Sequence, residues 1–111
     1  MTTAIIANLE KLLGGPRDGA LLRYSLGNEW LKAGDPAQAA VCLRAAIARD
    51  GQYSAAWKLL GKALTESGDI AAARASYAEG IRVAEAKGDL QAAREMAVFA
   101  RRLRRDSDGK V

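Results

Sequence analysis

The chain has 111 residues, half of them apolar, and a formal net charge of +4, which suits one small domain. It has no histidine and a single cysteine, so an intramolecular disulfide is excluded and the commonest general base and metal ligands are scarce or missing. Two Trp, three Tyr and one Phe stand against abundant alanine, a balance that favours closely packed helices over a sheet. No stretch approaches the ~20 apolar residues of a membrane span. The first residues lack the basic start and apolar block of a secretion signal. The expectation is a cytoplasmic chain without metal or cofactor.

Ile5, Ile6, Leu9, Leu12 and Leu13 recur at helical spacing and predict a first helix over 3–13, stopped by Gly14-Gly15-Pro16. Further helices are predicted over 19–33, 36–49, 54–67, 70–86 and 89–105. Three Gly-Asp pairs punctuate them: Gly34-Asp35, Gly68-Asp69 and Gly88-Asp89. Glycine suits the residue just past a helix, where the backbone turns left-handed. Aspartate suits the cap of the next helix, because its carboxylate accepts backbone N–H bonds and favours the positive end of the dipole. Each pair is thus a minimal joint between two helices. Pro36 and Gln38 add a first-position proline and capping-box spacing after Asp35. Cys42, between Val41 and Leu43, reads as a small buried hydrophobe. Residues 1–105 form one domain, and 106–111 read as a disordered tail.

Residues 20–53 overlay on 54–87 without gaps. Leu26 meets Leu60, Gly27 meets Gly61, Gly34 meets Gly68 and Asp35 meets Asp69. Ala37 meets Ala71, Ala39 meets Ala73 and Ile47 meets Ile81. These identities fall on the joints and on apolar helix positions, where a stacked repeat would need them. A 34-residue helix–turn–helix unit is the signature of the tetratricopeptide repeat, and the chain resembles that family here. Trp57, Leu60, Gly61 and Leu64 stand in the slots of its W-x2-L-G-x2-Y run, with Ala73 and Tyr77 in its A-x3-F slots. In the first copy Leu26, Gly27 and Trp30 match, followed by Ala39 and Leu43. Arg23 departs from the pattern, standing where the family has a large aromatic. Gly51 and Lys87 stand in place of prolines, so the helix from Ile70 is expected to run straight to about Lys87.

The third Gly-Asp pair then joins the second repeat to one further helix. At the other end, Ile5, Leu9 and Leu12 lie 34 positions before Ala39, Leu43 and Ala46. The first helix therefore resembles the second half of a preceding repeat. The resemblance implies an all-α, right-handed solenoid of six antiparallel helices: half a repeat, two repeats and a capping helix. Trp57 is expected to be buried near Leu60, Leu64 and Tyr77.

Leu21, Tyr24, Asn28 and Leu31 cluster about 120° from the packing stripe of their helix. Ala55, Lys58, Lys62 and Thr65 are their counterparts in the second repeat. The resemblance implies that such residues line a concave groove that binds a peptide of a partner protein. It places Asn28 and Lys58 in slots that chaperone-binding members use to hold a C-terminal carboxylate, although the third repeat of that clamp is absent. Lys58 and Lys62 lie four apart, a mildly unfavourable like-charge spacing. They are read either as solvated, with Glu66 pairing Lys62, or as part of a mixed apolar and cationic site for an acidic or carboxylate-ended peptide. A homodimer contact through the apolar residues is a third reading.

The last helix offers a different class of function. Arg101, Arg102, Arg104 and Arg105 form a run able to grip phosphates of a nucleic acid or another polyanion, but a polar cap that complements the helix dipole explains it more simply. Phe99 fits the inner stripe of that helix with Met96 and Leu103. An enzyme is not expected: Ser25, Ser54, Ser67 and Ser76 have no histidine to activate them, and no glycine-rich phosphate loop follows a strand.

Overall fold

The computed structural model describes the backbone of residues 2–108 and the side chains of residues 4–104. It contains six helices: α1 (Thr2–Glu10), α2 (Ala20–Lys32), α3 (Pro36–Arg49), α4 (Ser54–Glu66), α5 (Ile70–Lys87) and α6 (Leu90–Asp108), with no strand among the described residues. Two bounds differ from expectation. α1 ends at Glu10, and the backbone continues to Leu13 in turns whose N–H groups reach back three residues, Leu12 to Leu9 and Leu13 to Glu10. α6 runs to Asp108, so helix occupies the first part of the segment expected as a disordered tail. Residues 109–111 lie outside the described residues.

The Gly-Asp joints close in the same way each time. Gly34, Gly68 and Gly88 have φ of 82°, 85° and 80°, a left-handed conformation that costs glycine nothing. The following N–H reaches back across the turn: Asp35 to the Trp30 carbonyl at 2.9 Å, Asp69 to Leu64 at 2.9 Å and Asp89 to Ala84 at 2.8 Å. The same aspartates then cap the next helix. Their carboxylates accept from the N–H of Gln38 at 3.1 Å, Ala72 at 3.2 Å and Ala92 at 3.3 Å. Each aspartate therefore satisfies one helix end with its backbone and the next with its side chain.

These short joints force consecutive helices to pack side by side. α2 also touches α4, and α4 touches α6, whereas α1, α3 and α5 do not touch one another among the described residues. The even-numbered helices form the inner, closer-set row and the odd-numbered ones the outer row. The molecule is 19 Å thick along its shortest axis, which leaves room for two helix layers.

Close approach depends on small residues. Ala39, Ala46, Ala56, Ala63, Ala73 and Ala84 are fully buried. A methyl group on Gly27 would collide with Leu43, one on Gly61 with the Tyr77 ring, and one on Gly80 with Met96. In each pair the partner lies sixteen positions downstream, across one Gly-Asp joint. The α5–α6 pair thus packs as the two helices of a repeat do, although α5 is already the second helix of its own repeat. Leu43 and Met96 have no exposed surface. Two residues expected to be buried are half-buried instead. The Trp57 ring lies at the edge of the core, where its Nε1–H donates to the Gly51 carbonyl at 2.9 Å. Cys42 lies at the margin of the cluster that Ile6, Leu22 and Leu26 form between α1 and α2.

Candidate functional site

The inner row creates a groove between α4 and α6, closed at one side by Tyr24 of α2. Its volume is about 570 Å³. From α4 it takes Ala55, Lys58, Leu59, Lys62, Thr65 and Glu66; from α6 it takes Glu95, Phe99, Arg102 and Leu103. Tyr77 of α5 reaches its floor through the gap left by Gly61. Tyr77 and Phe99 pack with ring centres 5.7 Å apart. Arg102 extends over Phe99, its guanidinium carbon 5.9 Å from the ring centre.

The charges are arranged unevenly. Lys58 Nζ donates to Glu95 Oε1 at 2.7 Å and bridges α4 to α6. The ammonium holds the Glu95 carboxyl below the usual range for glutamate. This bridge divides the cleft. On its far side lies a smaller hollow of about 230 Å³, lined by Ala55, Asp89, Gln91 and Ala92 with the same Lys58 and Glu95. Lys62 is exposed, and among the described residues no carboxylate lies within 4.0 Å of it; the expected Glu66 pair does not form. Thr65 uses its hydroxyl proton on its own helix, donating to the Gly61 carbonyl at 2.8 Å.

Of the sequence-predicted groove residues, Tyr24, Lys58, Lys62 and Thr65 line this one hollow. Leu31 instead packs against the main core cluster, and Asn28 is half-buried outside the hollow's wall. Leu21 is 69% exposed at the start of α2. Tyr24 stacks on Tyr53 with ring centres 5.0 Å apart, which fixes its position at the groove edge. Lys58, read from sequence as solvated or as part of a cationic site, has a partner that reading did not name, because Glu95 comes from a helix whose register the repeat overlay does not set. Most groove members missed from sequence share that origin: Glu95, Phe99, Arg102 and Leu103 belong to α6, whereas Leu59 comes from α4 and Tyr77 reaches the floor from α5 through the gap that Gly61 leaves. Phe99, expected on the packing stripe with Met96 and Leu103, is half-buried at the groove wall.

The arginine run does not present a single face. Arg101, Arg102 and Arg104 are all exposed, but only Arg102 lines the groove. Arg105, the fourth member, has its side chain outside the described residues. No group of three or more potential metal-ligating side chains occurs among the described residues, and none of the described helices is long and apolar enough to cross a membrane.

Comparison with known proteins matches this geometry. A profile of the tetratricopeptide repeat covers residues 31–97. A TPR repeat-containing protein of Pseudomonas aeruginosa is 48% identical over 101 residues, spanning 91% of this chain and 96% of its own. The solution structure of a Bordetella parapertussis protein superposes with a TM-score of 0.80 at 41% identity, covering 92% of this chain and 89% of that one. The TPR domain of Sgt2 from Aspergillus fumigatus gives a TM-score of 0.82 at 21% identity, over 96% of this chain and 70% of that one, a likeness of fold.

Proposed function

The chain belongs to the tetratricopeptide-repeat family, whose members are generally protein-interaction scaffolds, and from that premise we propose that the α4–α6 groove binds a peptide segment of a partner protein. The observation that carries this reading is the hollow itself. Leu59, Tyr77, Phe99 and Leu103 make an apolar floor, with Lys62 and Arg102 at its rim. Such a surface suits a peptide with apolar side chains and a nearby carboxylate, from an acidic residue or a chain end. Lys58 contributes less charge to a ligand than its place suggests, since Glu95 already neutralises it. The chemistry on offer in the groove is recognition, through apolar contact and two cations.

A peptide selected from a random phage-displayed library on the whole chain provides the probe. Titrated into isotopically labelled protein, it should shift the amide signals of Tyr24, Lys62, Thr65 and Phe99. Lys62→Glu should weaken binding about tenfold, roughly the 1.4 kcal/mol of one well-placed charge contact. Arg101→Ala with Arg104→Ala should leave binding unchanged. Shifts confined to the outer side of α6, with affinity collapsing steeply as salt is added, would instead identify a polyanion site on the last helix.

A further inference from the structure

The two ends of the solenoid differ in a way the groove does not explain. In the first repeat Ala39, Leu43 and Ala46 of α3 are fully buried, covered by α2. The positions 34 residues earlier are Ile5, Leu9 and Leu12, on and just after α1. Here Ile5 is 46% exposed and Leu12 36% exposed, while Leu9 is half-buried. The adjoining side of α1 and of the turn after it is occupied, with Leu9 on the boundary: Ile6, Leu9 and Leu13 pack with Leu22 and Leu26 of α2. Ile5 and Leu12 thus mark the side that a covering helix would bury in every other repeat. Of the five large exposed hydrophobics among the described residues, Ile5, Leu12 and Leu21 belong to this α1–α2 end.

We propose that a second copy of this chain covers that stripe, α1 packing antiparallel on α1 across a two-fold axis. The stripe needs an antiparallel segment with apolar residues at matching spacing, and α1 with the turn that follows it supplies that pattern to itself. An axis passing between Asn8 and Leu9 seats Ile5 of one copy against Leu12 of the other. Charge favours the same arrangement. α1 ends in one acid, Glu10, and the turn that follows it opens with one base, Lys11, so two copies bring no net like charge together. Antiparallel pairing also turns Glu10 toward the positive N-terminal half of the other α1, whose first turn holds no acid. Head-to-tail stacking is disfavoured, because the exposed side of α6 carries Arg94, Arg101 and Arg104, and burying them against leucines would strand their charge. The self-complementary contact closes at two copies and leaves both grooves open.

The contact is small, well below the ~800 Å² per partner of a standard interface, so it forms only at high concentration. Sedimentation equilibrium of the whole chain from about 10 μM to about 1 mM should show the average mass rising toward two chains. Ile5→Lys should lower the association constant at least about tenfold, with an unchanged helical circular-dichroism spectrum and melting temperature, because Ile5 is not part of the core. An Asn8→Cys variant treated with a short bis-maleimide should give a covalent dimer, whereas the parent chain, carrying only Cys42, should not. A chain that stays monomeric at the highest concentration overturns the proposal. So does a dimer that Ile5→Lys leaves intact, or one that Asn8→Cys fails to cross-link, since either would place the contact elsewhere.

Discussion

Arg23 and Trp57 occupy the same slot, 34 residues apart, near the start of the first helix of their repeats. Both are half-buried, and both tie that helix to the segment before it. Trp57 does so with an indole N–H to the Gly51 carbonyl at 2.9 Å, its Cβ lying close against Gly80. Arg23 does so with a guanidinium that grips both oxygens of Asp18, each at 2.9 Å. Asp18 also accepts from the Gly14 N–H at 2.9 Å, and Arg49 of α3 approaches it at 4.0 Å. The backbone asks only that something bridge helix and loop; an aromatic in one repeat and an ion pair in the other both meet that demand. The two solutions differ in what breaks them: one depends on packing, the other on charge.

The largest effects should come from the glycine under each slot, which tests whether the repeats are equally tight. Gly61→Ala drives a methyl group into the Tyr77 ring, a rigid plate backed by Phe99, and should cost about 3 kcal/mol. Gly27→Ala meets Leu43, a branched side chain that can shift, and should cost about 1–2 kcal/mol. Chemical denaturation of both variants checks the ranking. Equal losses would mean that the two interfaces yield alike.

The slots themselves come next. Trp57→Ala should cost about 2–3 kcal/mol, below the range for a fully buried tryptophan because part of the ring already meets solvent. Arg23→Ala should cost about 1 kcal/mol, the scale of a partly buried, doubly hydrogen-bonded pair. Added salt should erode the second contribution and leave the first untouched. A Trp57→Ala loss smaller than that of Arg23→Ala would reverse the assignment of packing to one repeat and charge to the other.

The smallest expected effect is in the pH dependence. Hydrogen bonds from Arg23 and from the Gly14 N–H hold the Asp18 carboxyl far below the usual aspartate range. A carboxyl lowered in the folded state adds stability that is fully present above the unfolded pKa and fades as pH falls toward the folded one. Acid should therefore begin to destabilise the first repeat below about pH 4. Asp18→Asn should flatten that part of the profile, whereas Trp57→Phe should leave it unchanged. Melting temperatures at neutral pH and at several acid values would show it.

The helices, the joints and the two-repeat core were readable in the chain itself, because each rests on short-range chemistry. Gly34-Asp35 and Gly68-Asp69 mark the turns through backbone conformation and capping, and the 34-residue overlay aligns Gly27 with Gly61. The tetratricopeptide likeness followed from those residues alone. What tertiary structure decided is the face that α6 offers. The third joint comes 20 residues after the second instead of 34, so the overlay of 20–53 on 54–87 does not tell that Glu95 reaches Lys58, that Phe99 lines the groove wall while still packing on the core, or that Arg102 lines the groove when Arg101 and Arg104 do not. The same holds for Trp57, whose exposure depends on how near α5 approaches over Gly80. A helix's existence is set by neighbours in the chain, but its rotation about its own axis is set by the helices it packs against, and the groove's chemistry depends on that rotation.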